Sequence, residues 1–187
     1  MKKAAVIIAP GFEEGEAINV IDILRRAGVD CESVSLQGKQ VTGSHGITIV
    51  CDRELSMEIK NYDMIVLPGG LPGAVNLRDS DLLMDVIREM DKAGKYVCAI
   101  CAAPMALERA GVLEGRKWTA YVGYEEKIKA GTFCGDKVVA DGNVITSRGP
   151  ATVFAFAYRL AEALGCDVSE LKEKMLYHFA MGDPVVN

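Results

Sequence analysis

Residues 4–9 (AAVIIA) form a short, wholly apolar run closed by Pro10-Gly11, the pattern of a strand buried on both faces. Beyond it Ala17, Ile18, Val20, Ile21 and Leu24 recur at helical spacing, and Gly28 follows Arg25 and Arg26 as a C-terminal stop. Together they predict a β-α unit. Further strands are expected over 31–36, over 46–51 with Ile47, Ile49 and Cys51 alternating against Thr48 and Val50, and over the buried runs 64–67 and 96–100. Others are expected near 117–120 and as a pair, 137–141 and 143–146, turning about Asp141-Gly142. Helices are predicted over 80–93, with Leu82, Leu83, Val86, Ile87 and Met90 on one face, and over about 102–110. Two more close the chain. The first is opened by Pro150 and striped by Val153, Phe154, Phe156, Ala157, Leu160 and Leu164; the second uses Val168, Leu171, Met175, Leu176 and Phe179.

Strands alternating with helices, several of them continuously apolar, predict a mostly parallel sheet covered on both faces, because parallel strands need crossover helices. No Pro/Ser-rich linker, repeat or low-complexity tract divides the chain, so residues 1–187 are expected to form one domain. Ligands of such sheets collect at the carboxyl ends of the strands, which directs attention to the loops at 10–16, 68–73, 101–104 and 146–150.

Charge narrows the partners. The 21 Lys+Arg against 26 Asp+Glu leave −5 without a block of one sign, which argues against nucleic acid or an anionic membrane surface. No apolar run reaches the ~18 residues of a membrane span. The N-terminal apolar stretch ends at Pro10-Gly11 and meets Glu13, Glu14 and Glu16, unlike a secretory leader. A cytoplasmic protein with reduced thiols is expected. Its six cysteines (Cys31, Cys51, Cys98, Cys101, Cys134 and Cys166) show no paired metal spacing beyond one C-x-x-C, and Cys98 of that pair falls mid-strand, facing away from Cys101. No metal or cofactor is predicted.

Cys101 stands apart because it ends strand 96–100 just before Ala102-Ala103-Pro104 opens a helix. A nucleophile at such a junction sits on a tight turn, and the helix N-terminus favours thiolate over thiol; the alternative is a small buried hydrophobe. The run Pro68-Gly69-Gly70 follows another buried strand, so Gly70 N–H and Ala102 N–H could form an oxyanion hole, although a tight turn explains the glycines equally well. It matches no phosphate-loop pattern. Glu13, Glu14 and Glu16 are ordinary first-turn acids unless one faces Cys101, in which case burial and the thiolate would raise its pKa. The loop 146–150 reads as a helix entry. Neither histidine, His45 nor His178, lies in these four loops, which leaves a Cys–His hydrolase without its base.

The pieces G-F-E-E-G-E at 11–16, L-R-R-A-G at 24–28, V-L-P-G-G at 66–70, A-I-C-A-A-P at 99–104 and T-S-R-G-P at 146–150 together resemble the ThiJ/PfpI superfamily, in the branch of the parkinsonism-associated protein deglycase and its bacterial relatives. The resemblance implies a flavodoxin-like three-layer α/β sandwich, related to class I glutamine amidotransferases, that forms a homodimer. It further implies that Cys101 is the elbow cysteine and Glu16 its protonated partner, with cofactor-free glyoxalase or deglycase action on reactive dicarbonyls or their amine and thiol adducts. The competing implication is an oxidative-stress sensor or redox-regulated chaperone that uses the same sulfur without turnover. Ala102 stands where peptidase-like and amidotransferase-like branches have histidine, and Tyr121 stands where the deglycase branch often has a pocket histidine. A phenol with a pKa of about 10 is a poor base near neutrality, so slower or altered activity is expected. By the same match, His45 is expected to approach the partner's Cys101.

Overall fold

The computed structural model describes residues 1–182. In chain order the elements are β1 (Lys3–Ile8), α1 (Glu14–Arg26), β2 (Asp30–Ser35), β3 (Gln40–Thr42), β4 (Thr48–Val50), β5 (Arg53–Glu54), a 3-10 turn (Met57–Asn61), β6 (Met64–Leu67), α2 (Gly73–Asp79), α3 (Asp81–Lys92), β7 (Tyr96–Ile100), α4 (Pro104–Ala110), β8 (Lys117–Trp118), β9 (Thr132–Phe133), β10 (Val138–Asp141), β11 (Val144–Ser147), α5 (Val153–Ala163), α6 (Ser169–Lys174) and α7 (Tyr177–Met181). The main sheet runs in the order β10-β11-β7-β6-β1-β2-β5. It is parallel except for β10, which returns on β11 through the Asp141-Gly142 turn.

Alternate residues of one strand feed two cores. Ala5, Ile7 and Ala9 pack with α2, α3 and α4 on one face, while Ala4, Val6 and Ile8 pack with α1 and α5 on the other. The result is the three-layer α/β architecture expected from the continuous apolar strands. The helix ends follow their sequence signals: Ser80 Oγ accepts from Leu83 N at the start of α3, Pro104 opens α4, and Gly111 closes α4 at φ +83°.

Four expectations need correction. In α1 the buried stripe is Ala17, Val20, Ile23 and Leu24, whereas Ile18 is exposed, because the helix rolls to present Ile23 to β-strand neighbours instead. The segment 46–51 is not in the main sheet: Thr48–Val50 pairs antiparallel with Gln40–Thr42 as a separate hairpin. The 117–120 strand stops at Trp118, since the next backbone donors turn toward the sheet end, Thr119 N to Thr146 Oγ1 and Tyr121 N to Cys101 O. The last helix breaks at Leu176, whose φ of +55° ends the stripe, so Leu176 and Phe179 are exposed.

Candidate active site

The carboxyl ends of β1, β6, β7 and β11 deliver the four loops to one place. Cys101 follows β7 with φ +65°, the left-handed region that a side chain adopts only when its surroundings enforce it. Two backbone bonds do so here: Cys101 N donates to Ser147 O at 3.0 Å, and Cys101 O accepts from Tyr121 N at 2.9 Å. The 146–150 loop is thus structural, as expected, but its structure is part of the site. Ser147 is itself fixed by its hydroxyl, which bonds Lys137 O and Thr152 Oγ1 at 2.7 Å each.

The three acids of the first helix do three different things. Glu13 caps α1 by accepting from Glu16 N. Glu14 turns toward the β3–β4 hairpin, where its carboxylate accepts from His45 N at 2.7 Å and lies 3.0 Å from His45 Nδ1. Burial works against that charge, but the hydrogen bonds from the His45 side chain and backbone outweigh it and hold the carboxyl down at about 2. Glu16 is fully buried, and its Oε2 accepts from Gly69 N at 2.7 Å. Among the described residues its Oε1 has no hydrogen-bond partner.

Gly69 is the residue that spacing did not single out. A Cβ there would lie 2.6 Å from Cys101 Cβ, 2.8 Å from Glu16 Oε2 and 3.0 Å from Cys101 Sγ. Only a glycine lets the cysteine and the carboxyl share this corner. Next to it, Gly70 takes φ +87°, and its N–H and that of Ala102 are the groups that pull the Cys101 thiol pKa down. The Gly-Gly doublet was the available signal, though a tight turn accounts for it equally well.

Electrostatically the pair must be treated as one unit. Burial pushes the Glu16 carboxyl up to about 7 against the opposing pull of Gly69 N–H and Cys101. Burial first, and then the Glu16 charge, push the Cys101 thiol up to about 12, against the Gly70 and Ala102 N–H groups. The helix N-terminus expected to favour the thiolate is thus opposed by burial and by the Glu16 charge. Between about 7 and about 12 the two groups hold one proton and one negative charge.

The remaining cysteines are separate. Cys98 is fully buried on the opposite face of β7 and its thiol is pushed up by burial; all six are free. A cavity of about 300 Å³ opens over the sulfur, lined among others by Gly70, Ala102, Tyr121, Tyr124 and Lys127. Tyr121 is half exposed at its edge. His45 does not line it, being held at Glu14 with its side chain 73% exposed. Tyr124 and Lys127 come from a loop with no periodic pattern, so nothing in the sequence pointed to them.

The profile of the DJ-1/PfpI family matches residues 2–163. The chain belongs to the DJ-1/PfpI family. Among its DJ-1 relatives, protein dj-1beta of Drosophila melanogaster is 41% identical over 167 residues, covering 87% of this chain and 89% of the relative. A protein of Thermococcus kodakarensis named as a deglycase is 34% identical, covering 87% and 99%. The fold agrees: a DJ-1 superfamily protein from Salmonella typhimurium superposes with a TM-score of 0.88 at 36% identity, covering 98% of this chain and 100% of its own. The crystal structure of the Drosophila DJ-1beta gives 0.88 at 39%, covering 94% and 97%. Among the described residues, no helix is long and apolar enough to cross a membrane.

Proposed function

We propose that the protein is a cofactor-free glyoxalase or deglycase in which Cys101 is the nucleophile and Glu16 carries the proton. The observation that carries this is the placement of a fully buried carboxyl, raised to about 7, in the same corner as the elbow sulfur. In the charge-separated form of the pair, with the proton on Glu16 and the charge on sulfur, the Gly70 and Ala102 N–H groups favour the sulfur's charge, whereas Gly69 N–H favours the carboxylate's. The thiolate adds to the aldehyde carbon of methylglyoxal, and the new alkoxide, held by Gly70 and Ala102 N–H, takes the Glu16 proton to give a hemithioacetal. The Glu16 carboxylate then removes the hydrogen from that carbon and returns it to the neighbouring one, while the hydroxyl proton passes to the second oxygen. The product is a thioester of lactate. Water cleaves it, releasing lactate and the Cys101 thiol.

Adducts of dicarbonyls on amines or thiols enter by the same addition, in keeping with the deglycase name of the Thermococcus relative. Tyr121, which lines the cavity where a second base would stand, leaves Glu16 to do all proton transfer. Lactate formation from methylglyoxal tests the proposal: Cys101→Ser should abolish it, and equal rates in the two proteins would end it. The protein is further proposed to act as a homodimer in which His45 lies near the partner's Cys101, checked by sedimentation and by a crosslink from position 45.

A second use of the sulfur is favoured by its half-buried position and by the Gly70 and Ala102 N–H groups that stabilise its charge. Two equivalents of peroxide convert a thiolate to a sulfinate and two waters, and the same N–H pair would hold the sulfinate oxygens. One solved relative, from Toxoplasma gondii, is described as oxidized DJ-1 and is 34% identical with a TM-score of 0.83. An oxidative-stress sensor or redox-regulated chaperone would gain two oxygens at Cys101 selectively under mild peroxide; scattered oxidation of several cysteines would count against it.

A further inference from the structure

We infer that the substrate of the Cys101 site carries an anionic group several bonds from its reactive carbonyl, and that Lys127 selects for it. The inference rests on the proposed dicarbonyl chemistry for what reacts, and on separate observations for what binds.

The 300 Å³ cavity over Cys101 is not the end of the site. A second cavity of about 390 Å³ adjoins it, and Leu71, Tyr124 and Lys127 are walls of both. Tyr124 is a wall of both cavities; burial raises its hydroxyl pKa, with the Cys101 charge adding to the rise and Arg78 opposing it. No hydrogen bond occupies that hydroxyl among the described residues, which leaves its donor capacity available. Cavities of about 300–1,000 Å³ enclose ligands far larger than a triose. Methylglyoxal would leave most of this space unfilled.

The second cavity joins an apolar wall of Leu71, Val75, Met105 and Ile128 to a rim of charged side chains. Most of its charge is already spent. Arg78 Nε bonds Asp79 at 2.7 Å, Arg109 Nη2 bonds Asp81 at 2.7 Å, and the facing carboxylate of Glu108 accepts from Lys129 N at 2.6 Å and Ala130 N at 3.3 Å. Lys127 differs from both arginines. Its ammonium lies 4.6 Å from the Tyr124 ring centroid and pairs with no carboxylate among the described residues. A ring holds an ammonium in place without neutralising it, so Lys127 presents an anchored positive charge to whatever extends from Cys101 past Tyr124. A carboxylate or phosphate there would be met by the lysine and by the Tyr124 hydroxyl. The substrate class is therefore an α-oxoaldehyde, or an adduct of one, with an acidic tail.

The test compares dioxovalerate, in which the methyl of methylglyoxal is extended to a propanoate, with its neutral methyl ester. Wild type should prefer the acid by about tenfold in kcat/KM, the worth of one charge-assisted contact. Lys127→Gln should erase the preference and Lys127→Glu reverse it; an acid-to-ester ratio equal in all three proteins would overturn the inference. The ratio is insensitive to the fraction of folded enzyme. If wild type turns over no α-oxoaldehyde, the failure lies with the chemistry proposed for Cys101, and binding decides the remainder. Calorimetry with levulinate, which lacks the aldehyde, should show binding to wild type that is about fivefold weaker or more in Lys127→Gln and in the levulinate methyl ester. No difference there would overturn it as well.

Discussion

Glu16→Gln exchanges the buried acid for a neutral isostere and makes the central claim about the site measurable as stability. In the folded chain the carboxyl titrates at about 7 instead of the ordinary 4.5, chiefly because burial disfavours its charge. The folded state thus keeps this proton to higher pH than the unfolded chain does. Below pH 4.5 both states are protonated and burial of Glu16 carries no ionisation cost; as pH rises through 7 the folded state must hold a charge that the unfolded state holds freely. The gap between 4.5 and about 7 corresponds to a loss of about 3 kcal/mol, complete above the upper value. Glutamine has no such cost, and its carbonyl can still accept from Gly69 N. Urea unfolding of the two proteins at pH 5, 6, 7 and 8 should therefore show the variant gaining on wild type by about 2–3 kcal/mol across the series. Carrying Cys101→Ser in both proteins keeps the thiol, whose own ionisation depends on Glu16, out of the comparison. A stability difference that stays constant from pH 5 to 8 would mean that Glu16 ionises as a solvated acid. It could then not hold a proton for Cys101, and the proposed mechanism would fall with it.

Gly69→Ala should cost about 1–3 kcal/mol in urea unfolding, because the new methyl overlaps Cys101 Cβ and Glu16 Oε2. It should also lower kcat for methylglyoxal by about tenfold or more through displacement of the pair; full activity would show that the corner tolerates a methyl. Glu14→Gln weakens the carboxylate bonds to His45 N and Ile47 N, so amide exchange at His45 should quicken by an amount equivalent to about 1–2 kcal/mol while the core strands keep their protection. Uniform loss of protection would assign Glu14 to global stability instead. Tyr121→His places a base of near-neutral pKa at the edge of the Cys101 cavity and should raise kcat for methylglyoxal by about tenfold or more, with a bell-shaped pH profile. An unchanged profile would show that position 121 does not reach the reacting carbons.

The strands and most helices were legible because their signals are local: a wholly apolar run such as 64–67 has few ways to be buried other than in the middle of a sheet. What escaped was set by orientation. Glu14 and Glu16 are both buried acids in the first turn of α1, two residues apart and so on widely separated bearings of the helix. Which bearing faces the sheet end depends on how α1 rolls on α5 and β1, and that same roll buries Ile23 and leaves Ile18 exposed. The residues alone therefore could not choose Glu16 over Glu14, and the choice came from the family resemblance. Tyr124 and Lys127 escaped for a related reason, since the stretch after Trp118 spends its backbone bonds on Thr146 and Cys101 instead of on a strand partner and so carries no period to read. The acidity of Cys101 is a different kind of question. The local signal counts the Gly70 and Ala102 N–H groups, which do lower the thiol pKa, but not the other charges sharing the pocket. With Glu16 in the same corner, the sulfur's charge state becomes a question of which member holds the one remaining proton. It follows that Cys101 should become markedly more acidic once the neighbouring charge is gone: in Glu16→Gln the midpoint of iodoacetamide alkylation should move down from about 12. A midpoint that does not move would leave burial alone in command of the thiol and would remove the Glu16 charge from any part in setting its acidity.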